Sequence, residues 1–144
     1  FDPHFDTGAA ERLGVRQGSL EDVLAAADIV SLHCEMNAAT AGLIGPARIG
    51  QMKPGAVLIN TARGGLVDEA ALLLALDGGR ISAAALDVFA AEPVPAGNLL
   101  VSHPKVIATP HVSAFTHEAI HRESRWALED AGRLLLGLPA LHGA

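Results

Sequence analysis

Between Ala56 and Leu76 the sequence changes character once, and the change dictates the kind of fold available. Ala56-Val57-Leu58-Ile59 is a short apolar, partly β-branched run that suits a buried strand. Glu69-Ala70-Ala71-Leu72-Leu73-Leu74-Ala75-Leu76 is built from strong helix formers. Asn60 to Asp68 joins them, with Arg63 followed by Gly64 and Gly65. The segment reads as strand, turn, helix, with a cation at the carboxyl end of the strand. Open α/β sheets bind ligands at that end of their strands. A guanidinium there presents a fork for a carboxylate or a phosphate. An exposed arginine beside a glycine-rich connection is the competing interpretation. The glycine pair favours the first, because it would let a ligand approach closely.

The same alternation runs through the rest of the chain. Phe1-Asp2-Pro3 resembles the end of a strand. A short helix over Ala9–Leu13 is closed by Gly14, and Val15 suits a short strand. Ser19 caps a helix that begins at Leu20. Asp28–His33 forms a strand with the β-branched content of a buried parallel one. Pro46–Met52 is a short helix with proline in its first turn. Ile81–Phe89 and Val106–Thr109 are further strands, separated by a loop with Pro93, Pro95 and Pro104. A long helix follows from Thr116 to about Leu136, with a stripe through Trp126 that suits a core or an interface. Strands alternating with helices predict an α/β fold with a mainly parallel sheet.

The bulk properties narrow the function classes. In 144 residues, half of them hydrophobic, there is material for one domain with a core. A net charge of −6 argues against nucleic acid or an anionic membrane as the partner. No apolar run approaches the ~18 residues of a membrane span. The single cysteine, Cys34, excludes an internal disulfide and suits a reducing compartment, so a cytoplasmic location is expected.

Right-handed crossovers bring the carboxyl ends of parallel strands to one edge. That edge then collects Arg63, Asp87, Glu92 and His111. Arg63 could grip a carboxylate and polarise a neighbouring carbonyl. His111 could exchange a hydroxyl proton near neutral pH. A carboxylate on its other ring nitrogen, for which Glu92 is the candidate, would favour the protonated ring. No nucleophile elbow and no ligands at zinc spacing occur, so no metal is expected and a redox partner must be a cofactor. Taken singly, each residue has a plainer reading. Asp87 could hold a structural bond, Glu92 could be a solvated loop acid, and His111 could be a packed turn histidine. His33 and Cys34 read as wall residues, His117, His121 and His142 as solvated positions, and Asp68-Glu69 as a helix cap.

Ile59-Asn60-Thr61-Ala62-Arg63-Gly64-Gly65-Leu66-Val67-Asp68-Glu69-Ala70-Ala71-Leu72 closely resembles the signature of the D-isomer-specific 2-hydroxyacid dehydrogenases. Ala84–Phe89 with Glu92-Pro93, and Thr109-Pro110-His111-Val112-Ser113-Ala114, resemble the family's next two motifs. Asp28–His33, with Thr40-Gly42-Leu43-Ile44, resembles the segment before them. The resemblance implies a Rossmann-like doubly wound parallel sheet and NAD-dependent interconversion of a 2-keto acid and a D-2-hydroxy acid. Arg63 would bind the substrate carboxylate, and Glu92 would pair with the acid/base His111. Asp87 would bond the nicotinamide carboxamide, with Thr61, Ala62, His33 and Cys34 bordering the cofactor. Asp2 would match the acid that binds the adenosine ribose and favours NAD over NADP. A homodimer is expected for the intact protein.

Departures from the family pattern are also informative. After His33 the family often has Pro-Leu-Thr, where this chain has Cys34-Glu35-Met36-Asn37. Glu92 stands where the formate-oxidising branch usually has glutamine. The family's G-x-G-x-x-G turn and first strand do not occur in these residues. Residues 1–144 are therefore expected to be a partial NAD-binding domain with a C-terminal helix, the C-terminal part of a longer enzyme. An NAD-sensing corepressor on the same scaffold, or an inactive fragment, are the alternatives.

Overall fold

The computed structural model describes residues 1–142. They form two compact units, the first from Phe1 to Pro110 and the second from His111 onward.

The first unit is a parallel sheet with short helices. Helix α1 spans Thr7–Leu13, with the Asp6 carboxylate accepting from Ala9 N–H; Gly14 closes it at φ 66°, a backbone angle open to glycine at little cost. Helix α2, Leu20–Ala26, is capped by Ser19 as its sequence predicts. Strand β1 (Ile29–Leu32), helix α3 (Pro46–Gln51) and strand β2 (Ala56–Asn60) follow. A 3₁₀ turn over Gly64–Leu66 leads into helix α4 (Glu69–Asp77), then strands β3 (Ile81–Leu86) and β4 (Val106–Ala108). The sheet order is β1-β2-β3-β4, parallel throughout. This is the parallel α/β architecture expected from the alternation, and it is Rossmann-like.

Strand β2 runs inside the sheet, where Ala56, Leu58 and Asn60 are buried. Leu24, Leu58, Leu72 and Ile81, all fully buried, bring α2, β2, α4 and β3 into one core. Val30 and Leu32 of β1 join it, but Ile29 is 61% exposed and Ser31 is exposed as well. β-Branched content therefore overstated the burial of β1, which packs on one face only. Other local expectations also fail. Val15 is not in a strand, and Phe1-Asp2-Pro3 does not end one; the Asp2 carboxylate instead accepts from His4 N–H at 2.7 Å, closing a local turn. Strand β3 stops at Leu86, since after the Asp87 N–H bond to Asn60 O the chain leaves the sheet.

In the second unit, Thr116 caps helix α5, which spans His117–Leu135 and contains no buried residue. Its Trp126 is not core. The ring stacks on His142 at 4.8 Å between centroids and lies under the Arg122 guanidinium. His142, expected as a solvated tail position, is thus held against the helix. The Asp130 carboxylate accepts from the N–H groups of Leu141 and His142 at 2.7 and 3.0 Å. The Leu141 bond is the main reason its pKa is lowered from the ordinary value. Among the described residues no helix is long and apolar enough to cross a membrane.

Candidate functional site at the carboxyl edge of the sheet

The register lines up the strand ends. Leu32 pairs with Asn60, Asn60 with Leu86, and Leu86 with Ala108. The residues that leave that row are His33, Thr61, Asp87 and Thr109. Neighbouring strands lie about 4.8 Å apart, so the four exits fall within about 15 Å. One edge therefore gathers the polar residues that the strand sequences place at their ends.

Arg63 sits in a turn braced from below. Asn60 is 1% exposed. Its Nδ2 donates to Arg63 O at 2.9 Å, and its Oδ1 accepts from Ala62 N–H at 3.1 Å. A buried amide with both ends paired fixes a loop that would otherwise need water or a ligand. The Arg63 side chain is exposed, and its Nη1 donates to Ala62 O at 2.6 Å.

The glycine pair makes room for neighbouring parts of the chain. A Cβ on Gly64 would stand 1.9 Å from the carbonyl carbon of Phe89 and 2.5 Å from Ala90 N, and one on Gly65 would stand 2.4 Å from Met36 Sδ. Both glycines admit other parts of the protein. The segment before α3 is strapped to the same turn: Gly42 N–H donates to Gly65 O, and Ile44 N–H to Leu66 O, each at 2.8 Å.

Beside the turn lies a cleft of about 520 Å³ walled by His33, Cys34, Glu35, Met36, Ala62 and Arg63. Four predicted site residues, His33, Cys34, Ala62 and Arg63, thus share one cavity. His33 Nε2 lies 2.8 Å from Ser31 Oγ. Thr61, the first residue after β2, is exposed.

Asp87 is 3% exposed, and Thr109 Oγ1 donates to its Oδ1 at 2.5 Å. The structural bond weighed for this acid therefore exists, and it links the ends of β3 and β4. Glu92 lies in the exposed loop that follows; its Oε1 accepts from Phe89 N–H at 3.0 Å, and its peptide bond to Pro93 is cis. His111 opens the second unit, exposed, at φ 56°, an uncommon angle for a residue with a Cβ. Asp2 is exposed in the segment before α1. No three His, Cys, Asp or Glu side chains among the described residues are grouped to hold a metal.

Sequence reasoning missed three supporting residues. Asn60 could have been found, since it continues the buried 56, 58, 60 alternation as a polar residue that must be satisfied. Thr109 had no such signal. Glu69 was read with Asp68 as a cap. Asp68 does cap α4, accepting from Ala71 N–H at 3.0 Å. Glu69 reaches elsewhere, to Ala90 N–H at 2.7 Å and Asn98 Nδ2 at 2.9 Å.

Comparison with known proteins gives one answer throughout. The family profile described as "D-isomer specific 2-hydroxyacid dehydrogenase, NAD binding domain" matches residues 1–113. The D-3-phosphoglycerate dehydrogenase of Bacillus subtilis (strain 168) is 45% identical over 141 residues, 98% of this chain and 27% of the relative. Glyoxylate/hydroxypyruvate reductase B of Yersinia enterocolitica is 41% identical over 135 residues, 94% of this chain and 41% of the relative. The NAD-complexed D-isomer specific 2-hydroxyacid dehydrogenase of Lactobacillus delbrueckii ssp. bulgaricus superposes with a TM-score of 0.89 at 30% identity, over 100% of this chain and 47% of that structure. The chain thus spans about a quarter to a half of the length of these proteins.

Proposed function

The chain belongs to the D-isomer-specific 2-hydroxyacid dehydrogenases, through their NAD-binding domain, and on that premise we propose that it serves NAD-dependent interconversion of a 2-keto acid and a D-2-hydroxy acid. The observation that carries this reading is the row of strand ends beside the Arg63 cleft.

The residues present fit a nicotinamide cofactor. Asp87 is a buried acid at a strand end, oriented by Thr109, and suits an amide donor such as a carboxamide. Ala62 and Cys34 give the cleft less polar wall, with His33 and Thr61 at its edge. Asp2 is the candidate for the ribose hydroxyls. When bound, the cofactor supplies or accepts the hydride.

The chain's own residues do the rest. Arg63 binds the substrate carboxylate and draws electron density from the adjacent carbonyl. His111, protonated, gives its proton to the carbonyl oxygen, so the 2-keto acid becomes a 2-hydroxy acid; in the reverse direction it takes that proton back. By the family resemblance Glu92 is the carboxylate assigned to this histidine, a pairing that would favour the protonated imidazole. The left-handed backbone at His111 supports a functional role, since such angles gather at active sites. A homodimer follows from the family resemblance alone.

The test follows NADH oxidation with glyoxylate and hydroxypyruvate, and NAD reduction with D-3-phosphoglycerate, alongside calorimetric NADH titration. Turnover with at least one of these acids supports the proposal. NADH binding without turnover of any of them contradicts the enzymatic reading.

A further inference from the structure

The loop between β3 and β4 carries Glu92 but has no regular structure, so its position depends on individual ties. Glu92 supplies one, through Phe89 N–H. Two more meet at Glu69, the first residue of α4. Its Oε1 accepts from Ala90 N–H at 2.7 Å, and its Oε2 accepts from Asn98 Nδ2 at 2.9 Å. Asn98 is committed on its other side, where Oδ1 accepts from Leu100 N–H at 2.9 Å. Phe89 and Ala90 also lie against Gly64, at the spot where a Cβ would intrude. Glu69 therefore clasps the Glu92 loop to the segment that carries Arg63.

We propose that Glu69, through Asn98 and Ala90, is a positioning residue that sets the place of Glu92 relative to the Arg63 turn. The inference rests on the reading of Glu92 as the carboxylate that supports His111. The donor and acceptor pattern permits one arrangement. The carboxylate offers two acceptors to two donors. In Glu69→Gln one acceptor becomes a donor and meets the Asn98 amide donor. Turning the Asn98 amide over does not help, because its nitrogen would then face Leu100 N–H. Asn98→Asp alone sets two carboxylates against each other. Together, Glu69→Gln and Asn98→Asp restore every bond: the new amide donates to the new carboxylate, which still accepts from Leu100 N–H, and the remaining amide oxygen accepts from Ala90 N–H.

The experiment compares both single variants and the double variant by amide exchange at Phe89 and by turnover with the 2-keto acid that the unsubstituted protein accepts. The singles should speed exchange of Phe89 N–H, the donor to Glu92. They should also lower kcat by roughly ten- to hundredfold, the scale of a small misplacement of a reacting group, with little change in KM. The double variant should restore both. Unchanged exchange at Phe89 in the singles would overturn the inference. So would faster exchange with kcat intact, since Glu69 would then be only a structural tie. If the unsubstituted protein turns over no keto acid, the functional reading fails on its own, and Phe89 exchange still decides whether Glu69 positions Glu92.

Discussion

The side-chain amide of Asn60 donates to the carbonyl of Arg63 at 2.9 Å from a site that is 1% exposed. The residue that ends the central strand thereby fixes the residue proposed to hold the substrate. Asn60→Leu removes both bonds: Ala62 N–H loses its acceptor, and Arg63 C=O keeps only the Leu66 N–H at 3.2 Å. Leaving such groups unsatisfied costs about 1–3 kcal/mol, so urea denaturation should show a loss of that size. Asn60→Asp keeps the acceptor for Ala62 N–H but sets a buried carboxylate against the Arg63 carbonyl oxygen; it should raise KM for the keto acid and lose at least as much stability, since a buried unpaired charge is costly.

How much of this was legible in the sequence depends on the range of the interaction. The four strands of the sheet, their parallel direction and the caps at Ser19 and Asp68 follow from local chemistry: short apolar runs, helix formers between them and oxygen side chains at helix starts. The gathering of His33, Thr61 and Asp87 at one edge follows from topology. What was illegible is what joins distant positions. Glu69 and Asn98 lie 29 residues apart, and nothing near either one signals the other. The glycines show the same limit. A sequence shows that Gly64 lacks a side chain, but not that Phe89 occupies the space.

The two glycines of the Arg63 turn should respond differently to substitution. Gly64→Ala forces a methyl into the backbone of Phe89 and Ala90, which cannot yield without moving the Glu92 loop. Gly65→Ala meets the sulfur of Met36, the adaptable part of a flexible side chain. Overpacking costs typically about 1–3 kcal/mol; Gly64→Ala should lie at or above the top of that range and Gly65→Ala near the bottom. Thermal denaturation of the two variants measures the order, and equal losses would contradict it.

The tail of the second unit should release in acid. The Asp130 carboxyl is lowered from its ordinary value of 3.8, chiefly by the Leu141 N–H bond. A depressed carboxyl stabilises the form that holds it charged. That contribution is complete above the ordinary value and is lost as pH falls through the lowered one. Amide exchange at Leu141 and His142 should therefore quicken below about pH 4, the ordinary carboxylate range. Asp130→Asn should make exchange at both amides fast at neutral pH. Trp126, stacked on His142, offers a fluorescence readout of the same release.

In the proposed reaction Arg63 holds a 2-keto acid while His111 supplies the proton. Steady-state kinetics of His111→Ala against the unsubstituted protein, using a keto acid that it reduces, tests this most directly. In the variant kcat should fall by roughly 10²–10⁴-fold, the usual contribution of general acid–base catalysis, with NADH affinity largely retained. Near-normal turnover by the variant would contradict it.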